Sequence, residues 1–382
     1  MKKLISLLLV LALAAALAAC NNSASSTPGA ASTSAGSSTA DAAGQPSDGD
    51  GKTHVVYVGG KLGDAGIADA TYEGFTRALE ELPIYGEFIE LPTDVASYRT
   101  TMLEACETDA SLIFTSAGSG MIDVVIELAP QYPDKKFMVL DTPIDQEGIS
   151  DMNNFYGILC AQNEVSFLTG YLAQRMSKTD KVGVVVGVEY PVLCDFVTGY
   201  ISGAQAANPN VQIAVSASGD WVDQGAAKET ALAQIRQGCD VIYCVGAASS
   251  FGSLEACKEE GVWGIGCDTD LAAQFIGIDD EQADCIITSA YKDWGQVSYD
   301  WIKTCLEDIN AVPWGTVHLT GIADGGCKII QNEIYDKQVP EEIKDEMEQL
   351  IADISSGKVQ CPTYFDMTEE EYVALKESVM VK

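Results

Sequence analysis

Apolar runs of strand length alternate with helical patterns along most of the chain. In the first half the runs are HVVYVGG, YGEFIEL, SLIFTS, KKFMVLDT and FYGILC, and helices are predicted at 69–82, 97–106, 121–128 and 164–176. The second half repeats this rhythm with KVGVVVG, VQIAVSA, DVIYCVG, WGIGCD and CIITSAY, and with helices at 194–206, 226–236, 253–259 and 295–306. Strands that are apolar on both faces indicate parallel sheets covered by helices on both sides. The pattern therefore predicts an α/β protein of two doubly wound, parallel-sheet lobes joined by a hinge.

Two segments mark the points where the chain is expected to pass between the lobes, NEVSFLTGYLA and TSAYKD. They predict a first lobe of residues 52–161 plus 289–382, and a second lobe of residues 162–288. Residues 335–382 are rich in Glu and Lys at helical spacing, which predicts helices that pack on a lobe surface and stay outside the cleft.

The N-terminus has the pattern of an export signal. Lys2 and Lys3 precede a short apolar run, and the small-residue sequence LAAC ends at Cys20. A cysteine at this point is similar to a bacterial lipobox, which predicts a signal peptide at 1–19 and a lipidated Cys20; an ordinary secretory signal is the alternative. Residues 20–51 are mostly small or polar and predict a disordered tether. We therefore expect a protein anchored by lipid at the extracytoplasmic face of the cell membrane.

Charge and cysteine content narrow the possible partners. The formal net charge is −34, with 22 Lys and Arg against 56 Asp and Glu, which argues against nucleic acid as a partner. The twelve cysteines include no C-x-x-C, and only His54 and His318 offer imidazole groups, so neither a metal site nor a cofactor is predicted. Most cysteines lie in apolar runs and are predicted to be buried free thiols.

Candidate binding residues directly follow the predicted strands, because ligands of open parallel sheets collect at the carboxyl ends of strands. The candidates are Asp64, Ser116, Asp141, Trp221, Gly246, Asp268 and Lys292. An aspartate at such a position has an equally simple role as a helix N-cap. The whole set, with several carboxylates, one lysine and one tryptophan, suits a polyhydroxylated ligand that carries a ring. No histidine lies in these loops and no G-x-S-x-G occurs, so an enzyme is not predicted.

Several longer segments share the pattern of one known family. GDAGIADATYEGF is similar to the turn G-D-x-S-F-N-D-x-x-Y-E-G-x, and APQYPDKKFMVLDT to A-x-x-Y-P-D-x-K-F-x-x-x-D. NEVSFLTGYLA matches N-E-x-S-F-L-A-G-Y-L-A almost letter for letter, and the stretch ending in IGCDTD matches one ending in I-G-V-D-x-D. Together these segments make the chain similar to the basic membrane lipoproteins, the PnrA-like purine-nucleoside-binding proteins of ABC transporters. The resemblance implies a type I periplasmic-binding-protein-like fold and an ABC permease as membrane partner.

The resemblance also implies roles for single residues. In that family a purine lies between two aromatic rings, and acidic residues and a lysine hold the base edge and the ribose. Carried over, Asp141 meets the base edge, Asp268 the ribose diol and Lys292 the sugar. Trp221 occupies one stacking position, and Gly246 brings backbone close to the ligand.

Two positions depart from the family pattern. The second stacking Phe and the adjoining Asn correspond to Ile67 and Ala68. One aromatic wall is therefore absent, and an aromatic pair contributes about 0.5–1.5 kcal/mol beyond area burial. This departure leaves open whether the ligand is a purine nucleoside or a related ribosyl compound.

Two functions are compatible with these residues. The first is a lipid-anchored binding protein that delivers a nucleoside or a related ribosyl compound to an ABC permease. The second is a sensory or surface lipoprotein of the same fold that signals to a membrane partner. Genes for an ATPase and permeases beside this one favour the first function, and a neighbouring sensor kinase favours the second.

Overall fold

The computed structural model describes residues 51–116 and 118–381. Cys20, the predicted signal peptide and nearly all of the predicted tether lie outside the described residues. Within the described ranges, no helix has both the length and the apolar character that crossing a membrane requires.

The order of the elements follows the predicted alternation. The strands are β1 (Thr53–Gly59), β2 (Ile84–Glu90), β3 (Leu112–Thr115), β4 (Lys136–Leu140), β5 (Phe155–Cys160), β6 (Lys181–Val186), β7 (Gln212–Ala217), β8 (Val241–Val245), β9 (Trp263–Asp268), β10 (Ile286–Lys292), β11 (Thr316–Thr320) and β12 (Cys327–Ile329). The helices are α1 (Ile67–Glu81), α2 (Tyr98–Glu107), α3 (Gly118–Leu128), α4 (Gln162–Met176), α5 (Pro191–Ala207), α6 (Gln224–Arg236), α7 (Ser250–Glu260), α8 (Asp280–Cys285), α9 (Trp294–Asp308), α10 (Glu333–Gln338), α11 (Glu341–Ser355) and α12 (Glu369–Val379). All eight helices predicted from the pattern are present.

The strands form two six-stranded sheets, and each sheet is the centre of one lobe. The first sheet has the order β11-β5-β4-β3-β1-β2 and is parallel throughout. The second has the order β12-β10-β9-β8-β6-β7, and only β12 runs antiparallel. Central strands such as β5 and β8 are buried at every position, because helices cover both faces of each sheet. The predicted fold class is confirmed.

The chain crosses between the lobes three times, after β5, after β10 and between β11 and β12. The prediction that residues 289–382 belong to the first lobe is wrong for most of that segment. Strand β10 pairs in parallel with β9, so the chain leaves the second lobe after Lys292. Only α9, which packs on α1, and β11 belong to the first lobe. The C-terminal helices contact α4, α5 and β10 of the second lobe.

The C-terminal helices pack on the surface of the second lobe, outside the cleft, as the helical spacing predicted. Helix α11 packs on α4, and Arg175 of α4 forms a bidentate ion pair with Glu346 of α11. Its apolar residues Ile343 and Met347 join the core of the second lobe. The cysteines of the described chain are free thiols, and all except Cys285 and Cys361 are buried, which confirms that prediction.

The motif NEVSFLTGYLA forms helix α4 and acts in helix packing. A Cβ atom at Gly170 would lie 2.0 Å from the backbone oxygen of Tyr200, and one at Gly203 would lie 1.9 Å from that of Phe167. Glycine at these positions allows α4 and α5 to approach closely. The best-matching segment of the sequence therefore shapes the core, and its own residues do not line the cleft.

Candidate functional site

A cavity of about 420 Å³ lies between the carboxyl ends of the strands of the two lobes. All seven residues singled out from the sequence line it: Asp64, Ser116, Asp141, Trp221, Gly246, Asp268 and Lys292. Residues from both lobes therefore meet in one space of the size that a small-molecule ligand occupies.

The centre of the cavity wall is a buried lysine between two carboxylates. Lys292 is 2% exposed, and its Nζ lies 3.3 Å from Asp141 Oδ1 and 3.3 Å from Asp268 Oδ1. Asp141 follows β4 of the first lobe, and the other two residues end β10 and β9 of the second lobe. The ammonium nitrogen of Lys292 lies 4.9 Å from the ring centroid of Phe196 and 4.8 Å from that of Trp294. The Lys292–Asp141 ion pair thus joins the two lobes, whereas the Lys292–Asp268 pair lies within the second lobe.

The electrostatics of this group follow from its burial. Burial opposes the charged form of Lys292, but Asp141 and Asp268 outweigh that effect and raise its pKa. Burial raises the pKa of Asp141, Lys292 lowers it, and the neighbouring Asp268 raises it again, with a net increase. One ammonium group faces two carboxyl groups, so the wall retains acceptor capacity for a ligand that brings hydrogen-bond donors.

The backbone at this site is unusual. Among the described residues, the non-glycine residues with positive φ are Ala65 (47°), Asp141 (54°), Asp180 (57°), Ala247 (48°) and Asp268 (66°). Asp141, Ala247 and Asp268 line the cavity, and Ala65 directly follows the lining residue Asp64. A left-handed backbone costs roughly 1–2 kcal/mol at a non-glycine residue. Such conformations concentrate where a ligand site needs them, which supports a functional cleft.

Trp221 forms an aromatic wall on the second lobe. Its ring packs edge-on against Tyr190, with centroids 6.0 Å apart at 76°. Gly187 lies beneath it, since a Cβ there would come within 2.8 Å of the indole. The backbone oxygen of Trp221 accepts a hydrogen bond from the amide of Ser249 at 2.9 Å. The indole is therefore held in position from below and through its backbone.

Gly246 contributes space more than hydrogen bonds. Its amide donates to Ser250 Oγ at 2.9 Å, and its carbonyl accepts from the amide and the hydroxyl of Ser249. A Cβ at this position would lie 2.5 Å from Ser249 Oγ. Both backbone groups are thus engaged within the protein.

The first lobe forms the opposite wall with the turn between β1 and α1. The carboxylate of Asp64 accepts hydrogen bonds from the amides of Gly66, Ala68 and Asp69, so it caps the start of α1. Burial raises its pKa. Both residues that depart from the family pattern, Ile67 and Ala68, line the cavity. The wall of the first lobe is therefore aliphatic at this point.

Ser116 lies deeper and bonds within the protein. Its hydroxyl lies 2.7 Å from the hydroxyl of Tyr57, which also donates to the carbonyl of Ala68 at 3.2 Å. This network supports the start of α1 from below.

Sequence reasoning missed several lining residues, among them Lys61, Tyr98 and Phe196. Tyr190 precedes α5 after a strand end, so the strand-end rule includes it. Tyr98 begins α2, and Phe196 lies in the second turn of α5. The first two turns of helices that follow strands are the signal that identifies such residues. Within the described part of the chain, no group of three or more His, Cys, Asp or Glu side chains is arranged to hold a metal ion.

Comparisons with known proteins agree with this architecture. The model of a family described as ABC transporter substrate-binding protein PnrA-like matches residues 52–360. Basic membrane protein A2 of Borrelia garinii subsp. bavariensis is 27% identical over 315 residues, covering 80% of this chain and 87% of that protein. The ABC transporter nucleoside-binding protein BmpA of Lactococcus lactis subsp. cremoris is 27% identical over 278 residues, covering 70% and 76%. An ABC transporter solute-binding protein from Aeropyrum pernix K1 shares the fold, with TM-score 0.72, 23% identity and coverage of 86% and 100%.

Proposed function

Because this chain belongs to the PnrA-like family of ABC transporter substrate-binding proteins, we propose that it binds a nucleoside or a related ribosyl compound in the cleft between its lobes. Proteins of this family bind solutes and are not enzymes, so the cleft is a binding site without catalytic residues. The relative from Lactococcus lactis subsp. cremoris, named as a nucleoside-binding protein, supports this choice of ligand class.

The observation that carries the proposal is the group of buried Lys292 and partly buried Asp141 and Asp268 in one cavity with Trp221. Vicinal hydroxyls of a ribose donate to carboxylate oxygens, and the lysine donates to an oxygen of the sugar. The indole offers a flat apolar face to a base. A nucleoside combines these two features in one small molecule.

We assign Asp268 and Lys292 to the sugar, Asp141 to the edge of the base and Trp221 to its face. The hydrogen bonds of Asp64 and Ser116 are largely used within the protein, so their role is to shape the wall. Ile67 gives an aliphatic contact where an aromatic ring would stack. Affinity for purines is therefore expected to depend mainly on Trp221 and on the polar group.

The same proposal includes the cellular setting. We propose that Cys20 carries the lipid, that residues 20–51 form the tether, and that the folded lobes lie at the extracytoplasmic face of the cell membrane. There the protein delivers its ligand to an ABC permease. The net charge of −34 fits a protein that stays in solution beside an anionic membrane surface.

Isothermal titration of the full-length chain in detergent tests the ligand class. The panel contains purine and pyrimidine ribonucleosides, the matching 2′-deoxyribonucleosides, free bases and ribose. We expect one-to-one binding of at least one ribonucleoside and weaker binding of its base and of ribose alone. Asp268→Ala should weaken the ribonucleoside by about ten- to a hundredfold, since a hydrogen bond to a charged group contributes about 1.5–3 kcal/mol.

The matched control is Asp123→Ala, which removes an exposed aspartate of α3 and should leave binding unchanged. Asp268→Ala should also abolish the preference for ribosyl over 2′-deoxyribosyl ligands. If no nucleoside, base or pentose binds the unmodified chain, the assignment of the ligand class is wrong.

A further inference from the structure

The turn between β1 and α1 extends from the first lobe into the second. Its residue Ala65 is 8% exposed and belongs to an apolar cluster whose other buried members all come from the second lobe, including Leu271 and Ala272. This contact is separate from the three chain crossings that connect the lobes. The turn therefore makes a non-covalent contact between the lobes.

A single hydrogen bond completes this contact. The hydroxyl of Thr269 donates to the carbonyl oxygen of Ala65 at 2.5 Å. Thr269 directly follows Asp268, and Ala65 directly follows Asp64, so the bond ties together two loops that line the cavity from opposite lobes. The bond is thus one residue away from a residue that lines the cavity on each side, Asp64 on the first lobe and Asp268 on the second.

The acceptor side of this bond is rigid. The carboxylate of Asp69 accepts hydrogen bonds from the amides of Gly63 and Ala65, at 2.7 and 2.8 Å. The backbone of Ala65 is left-handed, with φ of 47°, and its side chain is enclosed by the second lobe. The carbonyl that Thr269 meets is therefore held in place by its own turn.

We propose that Thr269 is a positioning residue that stabilises the closed arrangement of the lobes and thereby increases the affinity of the cleft for its ligand. The donor and acceptor belong to different lobes, so a hinge motion that separates the lobes must break this bond. A ligand that contacts both lobes binds the closed form, and its apparent affinity depends on the free energy of that form. The proposal relies on the proposed function only for the choice of the ligand used as a probe.

The test compares Thr269→Val with the unmodified full-length chain in detergent. Valine keeps the branched shape and removes the hydroxyl. Loss of a neutral hydrogen bond corresponds to a roughly 3- to 10-fold weaker affinity for the ribonucleoside that binds best, mainly through faster dissociation. Thr269→Ser retains a hydroxyl and should restore affinity to within about twofold.

The matched control is Thr230→Val. Thr230 bonds a carbonyl within its own helix α6, at 2.8 Å, and lies in the second lobe. This variant loses a hydrogen bond of the same kind without touching the contact between the lobes, so its affinity should equal that of the unmodified chain. If Thr269→Val does not fold, Thr269→Ala replaces it.

A second readout needs no ligand. Amide hydrogen exchange of residues 61–70 in the ligand-free chain should become at least about threefold faster in Thr269→Val, while residues 181–186 of β6 keep their rate. If no nucleoside binds the unmodified chain, the proposed function fails, and this exchange experiment still decides on Thr269. Unchanged exchange in Thr269→Val, or equal affinities of the Val and Ser variants, would overturn the proposal.

Discussion

Replacing Lys292 by methionine tests the electrostatics of the cleft most directly. At 3.3 Å, each of the two ion pairs has a gross attraction of about 5 kcal/mol for an effective dielectric constant of about 20. The loss of hydration of buried Lys292 and of the partly buried carboxyl groups offsets much of this attraction. Removal of the lysine alone leaves two carboxyl groups facing each other, and breaking a buried pair in this way costs about 3–5 kcal/mol. We expect Lys292→Met to lower the free energy of unfolding by that amount at pH 8.

The decrease in the free energy of unfolding caused by Lys292→Met should be larger at high pH than at low pH. Lys292 lowers the pKa of Asp141, so its removal raises that pKa further above the ordinary carboxyl value. The folded variant then binds more protons than the unfolded chain between the ordinary and the raised pKa. Its free energy of unfolding therefore increases as the pH falls through that window, and the loss at pH 5 should be smaller than at pH 8.

Urea-induced unfolding of the full-length chain, followed at pH 5 and pH 8, measures both quantities. Lys135→Met is the matched control, because Lys135 is also buried but its ammonium group bonds the carbonyls of Thr108 and Ala110. The decrease in the free energy of unfolding caused by Lys135→Met should be the same at pH 5 and pH 8. A loss below about 1 kcal/mol for Lys292→Met, or an equal loss at both pH values, would refute the reasoning.

Three further outcomes follow from the structure. Ile67→Phe adds an aromatic face to the cavity and should tighten binding of purine nucleosides by about 2- to 10-fold in titration calorimetry; Ile67→Leu serves as control, and equal affinity of the two variants would contradict an added stacking contact. Burial raises the pKa of Asp195 to about 6 although Gln162, Thr363 and the amide of Tyr364 donate to it. Between its ordinary pKa and about 6 the folded chain holds the extra proton, so this group stabilises the fold by up to about 3 kcal/mol as the pH falls from 7 to 4. Asp195→Asn should remove that part of the pH dependence of urea unfolding, and an unchanged dependence would show that Asp195 does not titrate there. Cys20→Ser should release the protein from the membrane fraction, and retention of this variant there would contradict lipidation at Cys20.

The pattern of strands and helices and the set of residues at the strand ends can be predicted from the amino-acid sequence. The strands FYGILC and VIYCV are apolar at every position, as expected for strands covered on both faces, and this pattern can be read from the local sequence. The carboxyl ends of parallel strands share one edge of each sheet, so Asp141, Asp268 and Lys292 were expected in one place before any distance was known. The departures at Ile67 and Ala68 were also visible in the sequence alone.

The sheet that each strand joins depends on contacts that the hydrophobic pattern does not contain. Strand β10 has the same apolar pattern as the strands of either lobe, and only its pairing with β9 assigns it to the second lobe. The pairing of strands depends on contacts between residues far apart in sequence. The spacing of apolar residues along one strand gives no information on these contacts. The C-terminal helices are a similar case, since their amphipathic faces predict packing but do not identify the partner surface.

The roles of single residues likewise depend on their neighbours in the folded protein. Asp64 is a candidate ligand contact in the sequence, but its carboxylate caps α1. The segment NEVSFLTGYLA is the clearest family motif, and through Gly170 it packs α4 on α5. The bond between Thr269 and the carbonyl of Ala65 spans 204 positions of the chain. A hydrogen bond forms only at a donor–acceptor distance near 3 Å, and such a distance across two lobes is set by the packing of the whole fold.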